Sequence, residues 1–118
     1  KQNNLTLGLY QHRNLEGFIV GDLISIEKNI EYEILLIYIK DKQRKKGYAT
    51  KLLEYIQIIL KNKRLKKIYL EVAANNNQAI NLYKKNNFKQ IGIRKQYYRL
   101  NDKKIDAYFF EKIINEQN

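Results

Sequence analysis

Cysteine, proline, tryptophan and methionine are all absent from this chain, and histidine occurs once, as His12. Without cysteine there are no disulfides, no thiol nucleophile and no thiolate metal site. A lone imidazole has no partner with which to build a zinc site, so no metal is expected. No apolar run approaches the roughly 20 residues of a membrane span, and no signal-like segment opens the chain. The expectation is a cytoplasmic protein with no membrane partner. Because no methionine stands at position 1, the expectation is also a fragment or a processed product, with part of the native N-terminus absent.

What is present is a globular composition in 118 residues, 44% hydrophobic and 30% charged. That length supports one domain, residues 1–118, burying roughly two thirds of its unfolded surface. Lys and Arg number 23 against 12 Asp and Glu, a net charge of +11. Such an excess favours anionic partners such as phosphates, acidic peptides or nucleic acid. The wealth of Lys, Asn, Ile and Tyr is equally what AT-biased coding yields, so both origins of the charge stay open.

Along the chain, residues 5–10 ("LTLGLY") read as a short strand, followed by a turn around "QHRN". "GFIVGDLISI" reads as a second strand, interrupted at Gly21 by a bulge or bend. Residues 32–39, "YEILLIYI", are apolar enough to suggest a central strand covered on both faces. Leu52, Leu53, Ile56, Ile59 and Leu60 recur at the spacing of one helical face, predicting a helix over about 48–62. The basic run "KNKRLKK" ends it, where cations suit the negative end of the helix dipole.

A strand over 67–73 makes a strand, helix, strand unit with a right-handed parallel crossover. A second helix over about 77–85 follows an asparagine cap. Two further strands, 88–97 and 105–113, flank a hairpin loop containing "NDKK". The fold class is therefore mixed α/β, a twisted mixed sheet with a parallel central βαβ crossover and antiparallel C-terminal strands.

In a parallel crossover the ligand crevice lies where strand ends lead into helix N-termini. Here that corner is "QRKKGYAT", residues 43–50. A glycine lets the backbone approach a ligand, the unpaired N–H groups of a first helical turn favour anions, and Arg44, Lys45, Lys46 and Lys51 surround them. A plain structural turn is the competing reading. Neither the P-loop pattern nor the dinucleotide G-x-G-x-x-G pattern is present. One strand residue is out of place: Glu71, an acid inside "YLEVA", costs several kcal/mol if buried unpaired.

Three ordered blocks together resemble the GNAT acetyltransferase superfamily. Arg44-Lys45-Lys46-Gly47-Tyr48-Ala49 matches its acetyl-CoA signature R/Q-x-x-G-x-G/A at a helix start. "LEVAANNNQAINLYKKNNF" is similar to the L-E-V-x-x-x-N-x-x-A-I-x-L-Y-x-x-x-G-F block of RimI-type enzymes, acetyltransferases of ribosomal-protein N-terminal alanine. "RKQYYRLNDKKIDAY" resembles their R-x-x-Y-Y…D-A segment. The match runs over about 17–113. Its G-F becomes Asn87-Phe88, with Asn the next-best left-handed helix stop. The family's first strand and the helices after it, one wall of the acceptor site, have no counterpart.

The resemblance implies acetyl-CoA as co-substrate and a protein N-terminus, such as that of a ribosomal protein, as acceptor. It implies that Ile37, Tyr38 and Ile39 hold the acetyl-pantetheine arm, and that Arg44, Lys45, Lys46, Gly47, Tyr48, Ala49 and Thr50 cradle the pyrophosphate. Asn76 would contact the coenzyme. Glu71 would be the general base, Tyr83 the general acid, and Tyr97 and Tyr98 the aromatic pair of the peptide pocket. An α-amine must lose a proton to attack a thioester, which a carboxylate can accept, and a phenol can protonate the departing thiolate. On residue chemistry alone Tyr83 reads more readily as a core tyrosine, Tyr97 and Tyr98 can be ordinary strand residues, and the asparagines are most simply turn chemistry. Other acceptors, lysine or a small amine, and a non-catalytic module binding CoA or nucleic acid, are the alternatives; nucleic acid is the least favoured partner.

Overall fold

The computed structural model describes residues 3–114. Six strands form one sheet in the order β1-β2-β3-β4-β6-β5. They are β1 (Asn3–Gln11), β2 (Asn14–Ile26), β3 (Asn29–Ile39), β4 (Leu65–Ala73), β5 (Lys89–Leu100) and β6 (Lys103–Ile113). Helix α1 (Tyr48–Leu60) crosses from β3 to β4, and α2 (Asn77–Lys85) from β4 to β5. Only the β3–β4 pair is parallel, as the crossover requires; all other neighbours run antiparallel.

Tight turns set the hairpins. His12-Arg13 and Asn101-Asp102 both take positive φ at the two central positions, the mirror-image turn whose twist matches the flanking strands. These are the "QHRN" and "NDKK" corners. In α1 the buried residues are Leu52, Leu53, Ile56 and Leu60, one stripe facing the sheet. The helix stops at Leu60, two residues before the expected end, and passes through a 3-10 turn to Arg64 in the left-handed conformation. Helix α2 is capped by Asn76, whose side-chain oxygen accepts the Ala79 N–H at 3.2 Å. It is followed by Asn87 at φ 71°, the left-handed stop expected of an asparagine in place of glycine.

Both helices bury their apolar residues in one cluster with Ile19, Tyr32, Ile34, Ile68, Leu70, Val72 and Phe110. They therefore cover a single face of the sheet. The expectation that β3 is covered on both faces is corrected: Leu35, Leu36 and Tyr38 are 54%, 51% and 42% exposed. No helix among the described residues packs there.

The irregularity anticipated at Gly21 is present, although its extra residue belongs to β3. Val20 pairs with Leu36 and Gly21 with Ile34, leaving Leu35 as the bulge. The insertion switches which side chains point inward, from Tyr32 and Ile34 before it to Ile37 and Ile39 after it. Gly21 answers a steric demand, since a Cβ there would run into the Tyr32 ring. That ring passes beneath β2, and its hydroxyl donates to the Leu5 carbonyl of β1 at 2.8 Å.

Candidate active site

The bulge positions the site. Pairing between β3 and β4 ends at Ile34 and Leu70, immediately before Leu35 on one strand and Glu71 on the other. Beyond that point β3 pairs only with β2, and β4 only with β6. The two parallel strands part at their C-terminal ends, leaving main-chain groups of β3 unmatched along the gap. A cavity of about 560 Å³ lies there, lined by Ile37, Tyr38 and Ile39, by Gln43, Arg44, Lys45, Gly47, Tyr48, Ala49 and Thr50, and by Asn76 and α2 residues including Tyr83.

The helix side of this cavity is the N-terminus of α1. Gly47 is its N-cap, at φ 80° and with no side-chain capping bond. A Cβ at Gly47 would meet nothing within 4 Å, so the glycine answers the left-handed backbone and not crowding. The N–H groups of Tyr48, Ala49 and Thr50 have no intrahelical acceptor, and they head a helix dipole at the cavity wall. Such an end attracts a phosphate without any one side chain being decisive.

The loop's cations divide. Arg44 is occupied by the protein, its Nε donating to the Ile39 carbonyl at 2.9 Å and its Nη1 lying 3.0 Å from Asp41 Oδ1. It fastens the end of β3 to the loop. Lys45 lines the cavity, whereas Lys46 does not and bonds Gln43 Oε1 at 3.0 Å. Thr50 Oγ1 accepts from Asn86 Nδ2 at 3.1 Å, joining the start of α1 to the end of α2.

Tyr83 is 6% exposed and packs against Phe88 and Phe110 with ring centroids at 5.4 and 6.4 Å. Burial pushes its phenol up to about 12. The hydroxyl therefore remains protonated throughout the neutral range, the state required of a proton donor.

Glu71, Tyr97 and Tyr98 do not line this cavity. Glu71 is half-buried and alternates with the core residues Leu70 and Val72, which sends it to the uncovered face. The Tyr98 hydroxyl donates to Glu71 Oε2 over a long 3.4 Å. Burial, then the Glu71 charge, raises the Tyr98 phenol above its ordinary value. Tyr97 and Tyr98 meet edge to face at 5.1 Å. Asp22, Glu33 and Tyr69 follow one another across β2, β3 and β4. Burial first, then the neighbouring Asp22 and Glu71 charges, raises the Glu33 carboxyl above its ordinary value.

The description "Acetyltransferase (GNAT) family" matches residues 2–88. The chain belongs to the GNAT acetyltransferase family. It is similar to an N-alpha-acetyltransferase of Saccharolobus solfataricus, 39% identical over 80 residues that make up 67% of this chain and 46% of that protein. It thus spans less than half the length of this curated relative. Among solved structures, it is similar to the ribosomal-protein-S18-alanine N-acetyltransferase of Escherichia coli, with TM-score 0.83, 25% identity, and coverage of 98% of this chain and 72% of that one. Arabidopsis thaliana Naa50, in complex with the bisubstrate analogue CoA-Ac-MVNAL, matches with TM-score 0.78 and 25% identity over 91% of this chain and 71% of that one.

Within this GNAT domain the sequence left part of the lining unrecognised. Gln78, Asn81, Leu82 and Lys85 on α2 also face the cavity. Their spacing of three to four residues is the signal that would have marked a helical face continuing from Asn76. The apolar stripe of the same helix, carrying Ile80 and Tyr83, masked it. Among the described residues no group of three or more His, Asp or Glu is placed to hold a metal. No helix among them is long and apolar enough to cross a membrane.

Proposed function

We propose that this protein transfers the acetyl group of acetyl-CoA to the N-terminal α-amine of a protein. The observation that carries the reading is the parted end of the β3–β4 pair. Its cofactor side has the uncapped α1 N-terminus and Tyr83, while its other side has Glu71 beneath Tyr98. A thioester reaching through the gap would meet an amine arriving from the opposite face, and holding both reactants supplies much of the rate.

The first turn of α1, with Lys45, suits the pyrophosphate. Main-chain groups of Ile37, Tyr38 and Ile39, unmatched on the β4 side, suit the amides of the pantetheine arm. Asn76 and the polar face of α2 complete the wall. Glu71 takes the proton from the attacking amine, directly or through water, and Tyr83 supplies one to the leaving thiolate. The carboxylates Asp22, Glu33 and Glu71 favour a cationic acceptor.

The resemblance of the Leu70 to Phe88 block to RimI-type enzymes, and the likeness to the Escherichia coli alanine N-acetyltransferase, support an N-terminal alanine of a ribosomal protein as acceptor. Mass spectrometry of Ala-, Ser- and Met-led peptides and of N-terminally blocked lysine peptides, each incubated with protein and acetyl-CoA, tests the reading. Acetylation of the α-amine, with Ala-led peptides preferred, is the expected outcome. Exclusive modification of lysine would instead favour a lysine acetyltransferase.

A further inference from the structure

We infer that Asp106 is a positioning residue for the acceptor side: its carboxylate caps a bulge in β5 that sets Tyr97 and Tyr98 side by side above Glu71. The inference rests on the acetyl-transfer reading above. It starts from a geometric oddity. Successive residues of a strand point to opposite faces, yet the adjacent rings of Tyr97 and Tyr98 lie 5.1 Å apart, edge to face. A regular β5 would separate them.

The register explains how they meet. Arg94 pairs with Ala107 and Tyr98 with Ile105, so Lys95, Gln96 and Tyr97 together oppose the single residue Asp106. Gln96, at the centre, has φ 52°, a left-handed conformation that glutamine disfavours. Its N–H has left the ladder and donates to Asp106 Oδ1 at 2.8 Å. Arg94, at the bulge's start, lies 4.4 Å from the Tyr97 ring and 5.4 Å from the Phe109 ring, placing Tyr97 on the face occupied by Phe109. Phe109 pairs with Glu71, so the bulge delivers both tyrosines to the face of the proposed base.

Asp106 also acts through its main chain. Its carbonyl accepts the Ala74 N–H at 2.8 Å, at the start of the corner that leads to Asn76 and α2. One residue therefore links the acceptor-side bulge to the cofactor-side loop, and a side-chain substitution cuts only the first of these links. Asparagine keeps an acceptor oxygen at the same place; alanine removes it.

The test compares the whole chain carrying Asp106→Ala, Asp106→Asn, or Asp106→Ala together with Gln96→Gly, since glycine adopts the left-handed backbone unaided. Losing an anchoring charge-assisted hydrogen bond should raise the peptide KM about tenfold in Asp106→Ala and leave the acetyl-CoA KM within about twofold. Amide exchange at Gln96 should accelerate. Asp106→Asn and the glycine double variant should both recover the peptide KM. An unchanged peptide KM in Asp106→Ala, an equal rise in both KM values, or unaltered Gln96 exchange would each overturn the inference. Should the unsubstituted protein acetylate no peptide, the activity reading fails by itself. Asp106 is then judged by ring-to-ring proton contacts between Tyr97 and Tyr98, whose loss in Asp106→Ala supports its role and whose persistence overturns it.

Discussion

Glu71 and Tyr83 lie within the same short stretch of sequence but serve opposite faces of the sheet. Glu71 is set by strand alternation to the uncovered side and meets Tyr98. Tyr83 is set by helical periodicity into the core and the cavity wall. If they act as base and acid, Glu71→Gln and Tyr83→Phe should each lower kcat by about 10²–10⁴-fold, with the dissociation constant for CoA little changed. Steady-state kinetics with parallel CoA binding measurements separate the two effects. Tyr83 carries a second consequence, because its folded value, about 12, lies above the ordinary 10 of a phenol. The neutral phenol is the form that folding favours. Its contribution to stability is therefore complete below about pH 10 and is lost as pH rises through about 12. Denaturant unfolding across that window should steepen in its pH dependence for the native chain relative to Tyr83→Phe.

Among the elements, two glycines do different work, and substitution should distinguish them. Gly21 has no room for a side chain, because the fully buried Tyr32 ring occupies it, and Gly21→Ala should cost about 1–3 kcal/mol of stability through overpacking. Gly47 has open space but a left-handed backbone, so Gly47→Ala should cost about 1–2 kcal/mol and weaken CoA binding by distorting the first turn of α1. Urea denaturation and calorimetric CoA titration report the two quantities. The elements were largely legible in the sequence, because alternation in β4 and the stripe of α1 are strong local signals. The bulge at Leu35 was not, since an inserted residue in a uniformly apolar strand leaves no break in pattern. For the same reason "YEILLIYI" suggested a strand covered on both sides, when the helices cover only one. The bulge in β5 was hidden likewise, for it depends on Asp106, a partner ten residues away.

At the scale of the molecule, the proposed cofactor corner and the proposed acceptor face are brought together by topology and not by sequence proximity. Residues 44, 45 and 47–50, Asn76 and Tyr83 converge because the crossover helix and one short helix pack on the same face. Of residues 44–50, all but Lys46, which bonds Gln43 Oε1, line one cavity. Local pattern could not show that Arg44 holds the strand end, since that contact needs the Ile39 carbonyl in place. In the proposed reading, Asp22, Glu33 and Glu71 stand on the side suited to an ammonium-bearing acceptor, and the α1 N-terminus with Lys45 on the side suited to a phosphate-bearing coenzyme. The central claim is transfer of acetyl to an α-amine across the parted strands. Its most direct test is tandem mass spectrometry of an Ala-led peptide containing an internal lysine, after incubation with acetyl-CoA and this protein. The account predicts one added acetyl group on the N-terminal amine, abolished in Glu71→Gln; acetyl found solely on the lysine, or undiminished transfer by Glu71→Gln, would contradict it.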